Sequence, residues 1–93
     1  MLFFIDKETK KGIEESKYFS IIGTKNFFSD TNKLNQVCYA KHLKKPFRIL
    51  LAKDTLMPEG FLDGVEDYKI AEFDPDDPTT MKKAVNSIFP NKL

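Results

Sequence analysis

Ninety-three residues, 41% apolar and 13% aromatic with nine Phe among them, suffice for one hydrophobic core and are too few for two, so residues 1–93 read as a single domain. That apolar content excludes a disordered chain, the lone Cys38 excludes an internal disulfide, and no apolar run approaches the ~18 residues of a membrane span, which together point to a reducing, cytoplasmic setting. The net charge of +1 hides an asymmetry: residues 1–50 carry ten Lys/Arg against five Asp/Glu and residues 51–93 carry five against nine, so the halves stand at +5 and −4.

The chain opens with Met1 followed by Leu-Phe-Phe-Ile, an apolar run that no basic residue precedes and that Asp6 ends too early for a signal peptide; it reads as a buried strand, Leu2 to Ile5. Lys7 to Phe19 is a helical segment with a thin apolar stripe, since Ile13 is its only apolar residue before Tyr18 and Gly12 costs about 1 kcal/mol relative to Ala. Ile21-Ile22 marks a second strand. Asp30 to Lys45 is a helix: Ser29 or Asp30 can cap it, Leu34, Val37 and Cys38 are placed on one apolar face, and Lys41, Lys44 and Lys45 suit the negative end of the dipole before Pro46 stops it. Phe47 to Ala52, apolar but for Arg48, is a strand of the kind that a parallel sheet covers on both faces.

Asp54 to Gly64 holds Pro58, Gly60 and Gly64 and reads as a loop, with Leu56, Met57, Phe61 and Leu62 tucked beneath it or forming a contact patch. Tyr68 to Phe73 alternates well enough for an edge strand. Asp77-Pro78 then supplies an N-cap and a first-turn proline, and Met81, Ala84, Val85 and Ile88 recur at helical spacing. Strands alternating with helices predict an α/β fold with a small, mainly parallel four-stranded sheet and flanking helices, the last helix packed through Met81, Val85 and Ile88.

Few residues carry chemistry by pattern. Asp74, Asp76 and Asp77 could hold a hard cation, but they end a strand and open a helix, where capping explains them. His42 has no second ligand near it and reads as a solvated residue at a helix end; Cys38 reads as a packed thiol. Phosphate loops, zinc spacings and serine-nucleophile elbows are absent, and the scattered lysines lack the aromatic-basic pattern of nucleic-acid binding.

From Gly12 to Val37 the order of residues is more specific. Ile13-x-x-Ser16 precedes the strand Phe19 to Ile22, then come Thr24, Asn26-Phe27, a polar turn, and a helix holding Gln36-Val37. In that order it resembles the TIR (Toll/interleukin receptor) pattern of I-x-x-S, an apolar strand, Ser or Thr, N-F or N-Y, a turn, and W-C-x-x-E-L. The helix is also similar to nucleoside 2-deoxyribosyltransferases: Asp30, Gln36, Cys38-Tyr39-Ala40 and Lys45-Pro46 stand where that family has Asp, Glu, G-Y-A and K-P. Both resemblances imply a flavodoxin-like fold, here shortened at its N-terminus relative to a whole TIR domain, and both imply a helix glutamate working at an N-glycosidic bond.

In this chain that position is Gln36, and the Trp-Cys pair is replaced by Asn32 and Lys33. A neutral amide neither attacks nor stabilises an oxocarbenium ion as a carboxylate does. The resemblance therefore implies a TIR-like protein-interaction or scaffold module without a catalytic residue, cofactor or metal. Its expected partner is a second copy, a homodimer in the simplest case, or another TIR-like protein; neither nucleic acid nor membrane is expected. An NAD glycohydrolase, a deoxyribosyltransferase-like enzyme and a nucleotide-binding sensor are the alternatives, with Thr24, Asn26, Asp30 and Gln36 as the implied ligand-binding residues. Read without the resemblance, Gln36 is an exposed helical residue, Asn26 shapes a turn and Ser16 ends a helix.

Overall fold

Asp6 starts the first helix by accepting the backbone N–H of Thr9 at 2.8 Å, which satisfies one of the free donors of that first turn. In the computed structural model, which describes residues 5–89, it caps α1 (Lys7–Glu15). Then follow β1 (Phe19–Gly23), α2 (Lys25–Ser29), α3 (Thr31–His42), β2 (Phe47–Ala52), β3 (Tyr68–Phe73) and α4 (Pro78–Ile88). The class is α/β, and among the described residues the sheet has three strands, all parallel, in the order β1-β2-β3. The expected N-terminal strand lies outside the described residues except for Ile5, which is half-buried against the core ahead of α1.

Register runs straight across the sheet, Phe19 beside Phe47 beside Tyr68 and Ile21 beside Ile49 beside Ile70. Parallel neighbours need a crossover. Between β1 and β2 it is made by α2 and α3; between β2 and β3 it is the turn-rich segment 53–67. That loop tucks in part as expected: Phe61 is buried and Met57 and Leu62 are half-buried against the core, whereas Leu56 is 90% exposed.

Because alternate strand residues face opposite ways, β2 feeds two cores. Phe47 and Ile49 join Phe19, Ile21, Ile13, Val37, Ala40 and Phe61 on the face covered by α1, α3 and the loop. Leu50 and Ala52 join Phe73, Ala84 and Ile88 on the face covered by α4. Helix α4 is capped by Asp77 with Pro78 in its first turn, and it docks mainly through Ala84 and Ile88, with Met81 and Val85 half-buried beside them. Tyr39 donates its hydroxyl to Glu14, and Lys45 Nζ donates to the carbonyls of Glu14 and Ser16, so α3 and its C-terminal turn are tied to the end of α1. The bond to Glu14 also holds the Tyr39 phenol above its ordinary pKa.

Helix cover is uneven across the sheet. On the α1/α3 face β3 is left bare, with Tyr68 47% and Ile70 40% exposed; on the α4 face β1 is left bare, with Ile22 52% exposed.

Three expectations are corrected. Cys38 is exposed rather than packed on the apolar face of α3. The buried side of that helix runs through Val37, Tyr39 and Ala40, and Cys38, two residues before Ala40, projects from roughly the opposite side at about 3.6 residues per turn. The same geometry makes Gln36 half-buried rather than exposed. The polar turn expected after Asn26-Phe27 is instead the short helix α2.

Candidate functional site

In open parallel sheets, ligands are met outside the carboxyl ends of the strands. At the end of β1, Gly23 lets α2 come close: a Cβ there would lie 3.0 Å from both Phe28 Cζ and Leu51 Cδ1. Thr24 then caps α2, its Oγ1 accepting the Phe27 N–H at 3.2 Å. Asp30 caps α3, its Oδ1 accepting the N–H groups of Asn32 at 2.9 Å and Lys33 at 3.3 Å. Asn26 is exposed on α2.

Thr24, Asn26 and Asp30 come together. They line an open hollow of about 460 Å³ along the outer side of β1, completed by Ser20, Ile22, Phe27 and Lys33. Its chemistry is an ammonium, an amide, the Ser20 hydroxyl and an apolar wall, with Oγ1 of Thr24 and Oδ1 of Asp30 engaged as helix caps.

Gln36 is not part of this hollow. It lines a second one, about 220 Å³, with Ile5, Asp6 and Asn32. Asp6 is the carboxylate nearest in kind to the one that Gln36 lacks, but it is committed: hydrogen bonds from the Thr9 N–H and then the Thr9 hydroxyl hold it below the ordinary 3.8. A lowered folded-state pKa means that this cap stabilises above pH ~4 and is lost as pH falls through the lowered value. At neutral pH Asp6 is ionised, and both of its oxygens are engaged by Thr9 in the cap of α1.

The other candidate residues take structural places. Ser16 ends α1, its Oγ donating to the Gly12 carbonyl at 2.6 Å. Asp74 accepts the Asp76 N–H at 2.9 Å and Asp77 accepts that of Thr79 at 3.2 Å; among the described residues no three His, Cys, Asp or Glu side chains are grouped to hold a metal ion. His42 is exposed, its ring stacked 6.4 Å from that of Tyr39. No helix among the described residues is long and apolar enough to cross a membrane.

Sequence reasoning missed Ser20, Ile22 and Lys33 around the first hollow and Asp6 beside Gln36. Ser20 and Ile22 had a signal, the two-residue alternation of β1 that turns both to one side. Asp6 had none, because its approach to α3 depends on how α1 packs. The chain matches no family model, no curated protein and no solved structure.

Proposed function

We propose that this chain is a non-catalytic, TIR-like interaction or scaffold module of the cytosol, working through contacts with copies of itself or with another TIR-like protein. The observation that carries the reading is Gln36. At the position where the resembling families work with a carboxylate this chain has an amide, and both oxygens of the nearby Asp6 carboxylate are engaged by Thr9 in a helix cap. Two further observations support it: the consecutive parallel order β1-β2-β3 is compatible with one side of a flavodoxin-like sheet, and apolar side chains lie bare on the outer strands.

The first hollow keeps a second reading open, a sensor that binds a nucleotide without cleaving it, because Thr24, Asn26 and Asp30 do meet there beside Lys33. The two readings part in one experiment. Purified protein is incubated with NAD and with deoxynucleosides, release of nicotinamide or free base is followed by chromatography against a heat-killed control, and melting is recorded with each compound. The scaffold reading expects no turnover and no rise in melting temperature; a rise alone favours the sensor, since a ligand of the native state must stabilise it. Turnover above the control overturns both.

A further inference from the structure

We propose that copies of this chain associate head to tail, the edge of β3 in one copy adding in parallel to the edge of β1 in the next, both edges unpaired among the described residues, so that the sheet continues from molecule to molecule. This deepens the reading of the chain as a homotypic module and rests on it.

The backbone is set for that ladder. The Phe47 N–H donates to Asp67 O and the Lys53 N–H to Phe73 O, so the odd residues of β3 turn their polar groups towards β2 and Tyr68, Ile70 and Glu72 turn theirs outwards. The Phe19 N–H donates to Pro46 O, which by the same alternation turns the polar groups of Ser20 and Ile22 outwards from β1. If the sheet's own register is kept, Tyr68 falls beside Phe19 of the next copy, Ile70 beside Ile21 and Ala71 beside Ile22. The hollow beside Ser20 and Ile22 leaves room along that edge.

The uneven helix cover then becomes complementary. Tyr68 and Ile70 are bare on the face where the next copy carries α1 and α3, and Ile22 is bare on the face where the previous copy carries α4. Each copy brings a helix layer up to the strand that its neighbour leaves uncovered.

Charge chooses this arrangement over a closed dimer. Carried just past the strand ends, the head-to-tail register sets Glu66 against Lys17 of the next copy and brings Asp74, which also pairs with Lys53 of its own chain at 4.0 Å, to the end of β1 where α2 begins at Lys25. Antiparallel pairing of β3 with itself about Ile70 would instead oppose Glu66 and Asp74, twice, and pairing of β1 with itself about Ile21 would oppose Lys17 and Lys25, twice. Like charges placed opposite one another destabilise a strand pair, and unlike charges support it. At larger scale the basic first half supplies the β1 edge and the acidic second half the β3 edge. A heterologous contact of this kind is open and continues beyond two copies.

The test is sedimentation of the full chain over a range of concentrations with two charge-reversed variants, K17E/K25E and E66K/E72K, at four exposed positions. Glu72 replaces Asp74 in the design because Asp74 holds a turn of its own chain. The native chain is expected to gain mass with concentration past the dimer. Each variant alone should need about ten-fold or more higher concentration to associate, and an equal mixture of the two should recover much of the association, since each edge again meets its opposite except where Asp74, left unchanged, stands near the K25E side chain. Ile70→Arg, which leaves those charges in place, should also block growth. A species that stops at two copies, association indifferent to these changes, or a mixture that stays as dispersed as its components overturns the proposal. Turnover of NAD would overturn the functional reading instead, and sedimentation would report on the ladder regardless.

Discussion

Ile49 and Ile70 are the same residue, side by side in register on one face of one sheet, yet Ile49 is fully buried and Ile70 is 40% exposed. The same holds one pair earlier, where Phe47 is fully buried and Tyr68 is 47% exposed. Strand residue type does not make the difference. Helices α1 and α3 lie over β1 and β2 and stop short of β3, so the centre of the sheet is core and its rim is surface built of core-like residues.

The most direct way to break this comparison is to shorten both isoleucines. Ile49→Ala leaves a void among Phe19, Ile21 and Val37 and is expected to cost about 2–5 kcal/mol, whereas Ile70→Ala should cost less than about 1 kcal/mol. For a domain of this size each kcal/mol moves the melting temperature by about 4–8 °C, so thermal unfolding separates the two easily. The measurement belongs at low protein concentration, where Ile70 has no neighbouring copy to lose. Similar losses in both variants would mean that β3 is covered in solution.

That contrast also sorts what could be read in advance. Strand β2 was legible to the residue because Phe47 to Ala52 is apolar but for Arg48 and is bounded by Pro46 and Lys53, and the start of α4 was legible because Asp77-Pro78 allows little else. Both signals are local. Helix α2 escaped because five residues are too few to show a period, and its start rests on a single cap from Thr24 to Phe27. The placement of Cys38 failed because Leu34, Val37 and Cys38 span a wide arc of α3, and which part of it is buried depends on where α1 and β2 lie. Of the candidate site, Thr24, Asn26 and Asp30 lie within one short turn region, so sequence neighbourhood brought them together; Gln36 is a further turn and a half along α3 and faces another element.

Two glycines sharpen the comparison at smaller scale. A Cβ on Gly23 would meet Leu51 Cδ1 and Phe28 Cζ at 3.0 Å, while one on Gly12 meets nothing within 4 Å. Gly23→Ala should therefore cost about 1–3 kcal/mol through crowding where α2 crosses the strand end. Gly12→Ala, inside the exposed side of α1, should stabilise by about 0.5–1 kcal/mol by restricting the unfolded chain and favouring the helix. Denaturant titrations with unchanged slopes would show that both effects act on stability rather than on the compactness of either state. Loss of stability in Gly12→Ala would place a neighbour against α1 that the chain itself does not supply.

The smallest effect is expected at the one buried charge of the central strand. Arg48 is 6% exposed and faces the α4 side of β2, where its guanidinium carbon lies 4.4 Å from the centre of the Tyr18 ring and its Nη1 donates to Phe47 O at 2.8 Å. Nη1 also pairs with Asp67 at 3.1 Å, but that carboxylate is 62% exposed, so the attraction is screened, and the buried Nε of Arg48 has no partner. Desolvating the guanidinium offsets much of what these contacts contribute. Arg48→Met keeps an unbranched apolar stem in the strand while removing the guanidinium and its stranded donor, and it should leave stability within about 1 kcal/mol of the native chain. Thermal unfolding at low and at high salt checks both halves of the argument: a native ion pair of real weight would make the wild type alone lose stability as salt rises. A loss of several kcal/mol in Arg48→Met, insensitive to salt, would instead mean that the cation over Tyr18 holds the bare β1 side of the sheet together, and that the rim depends on the centre through Arg48.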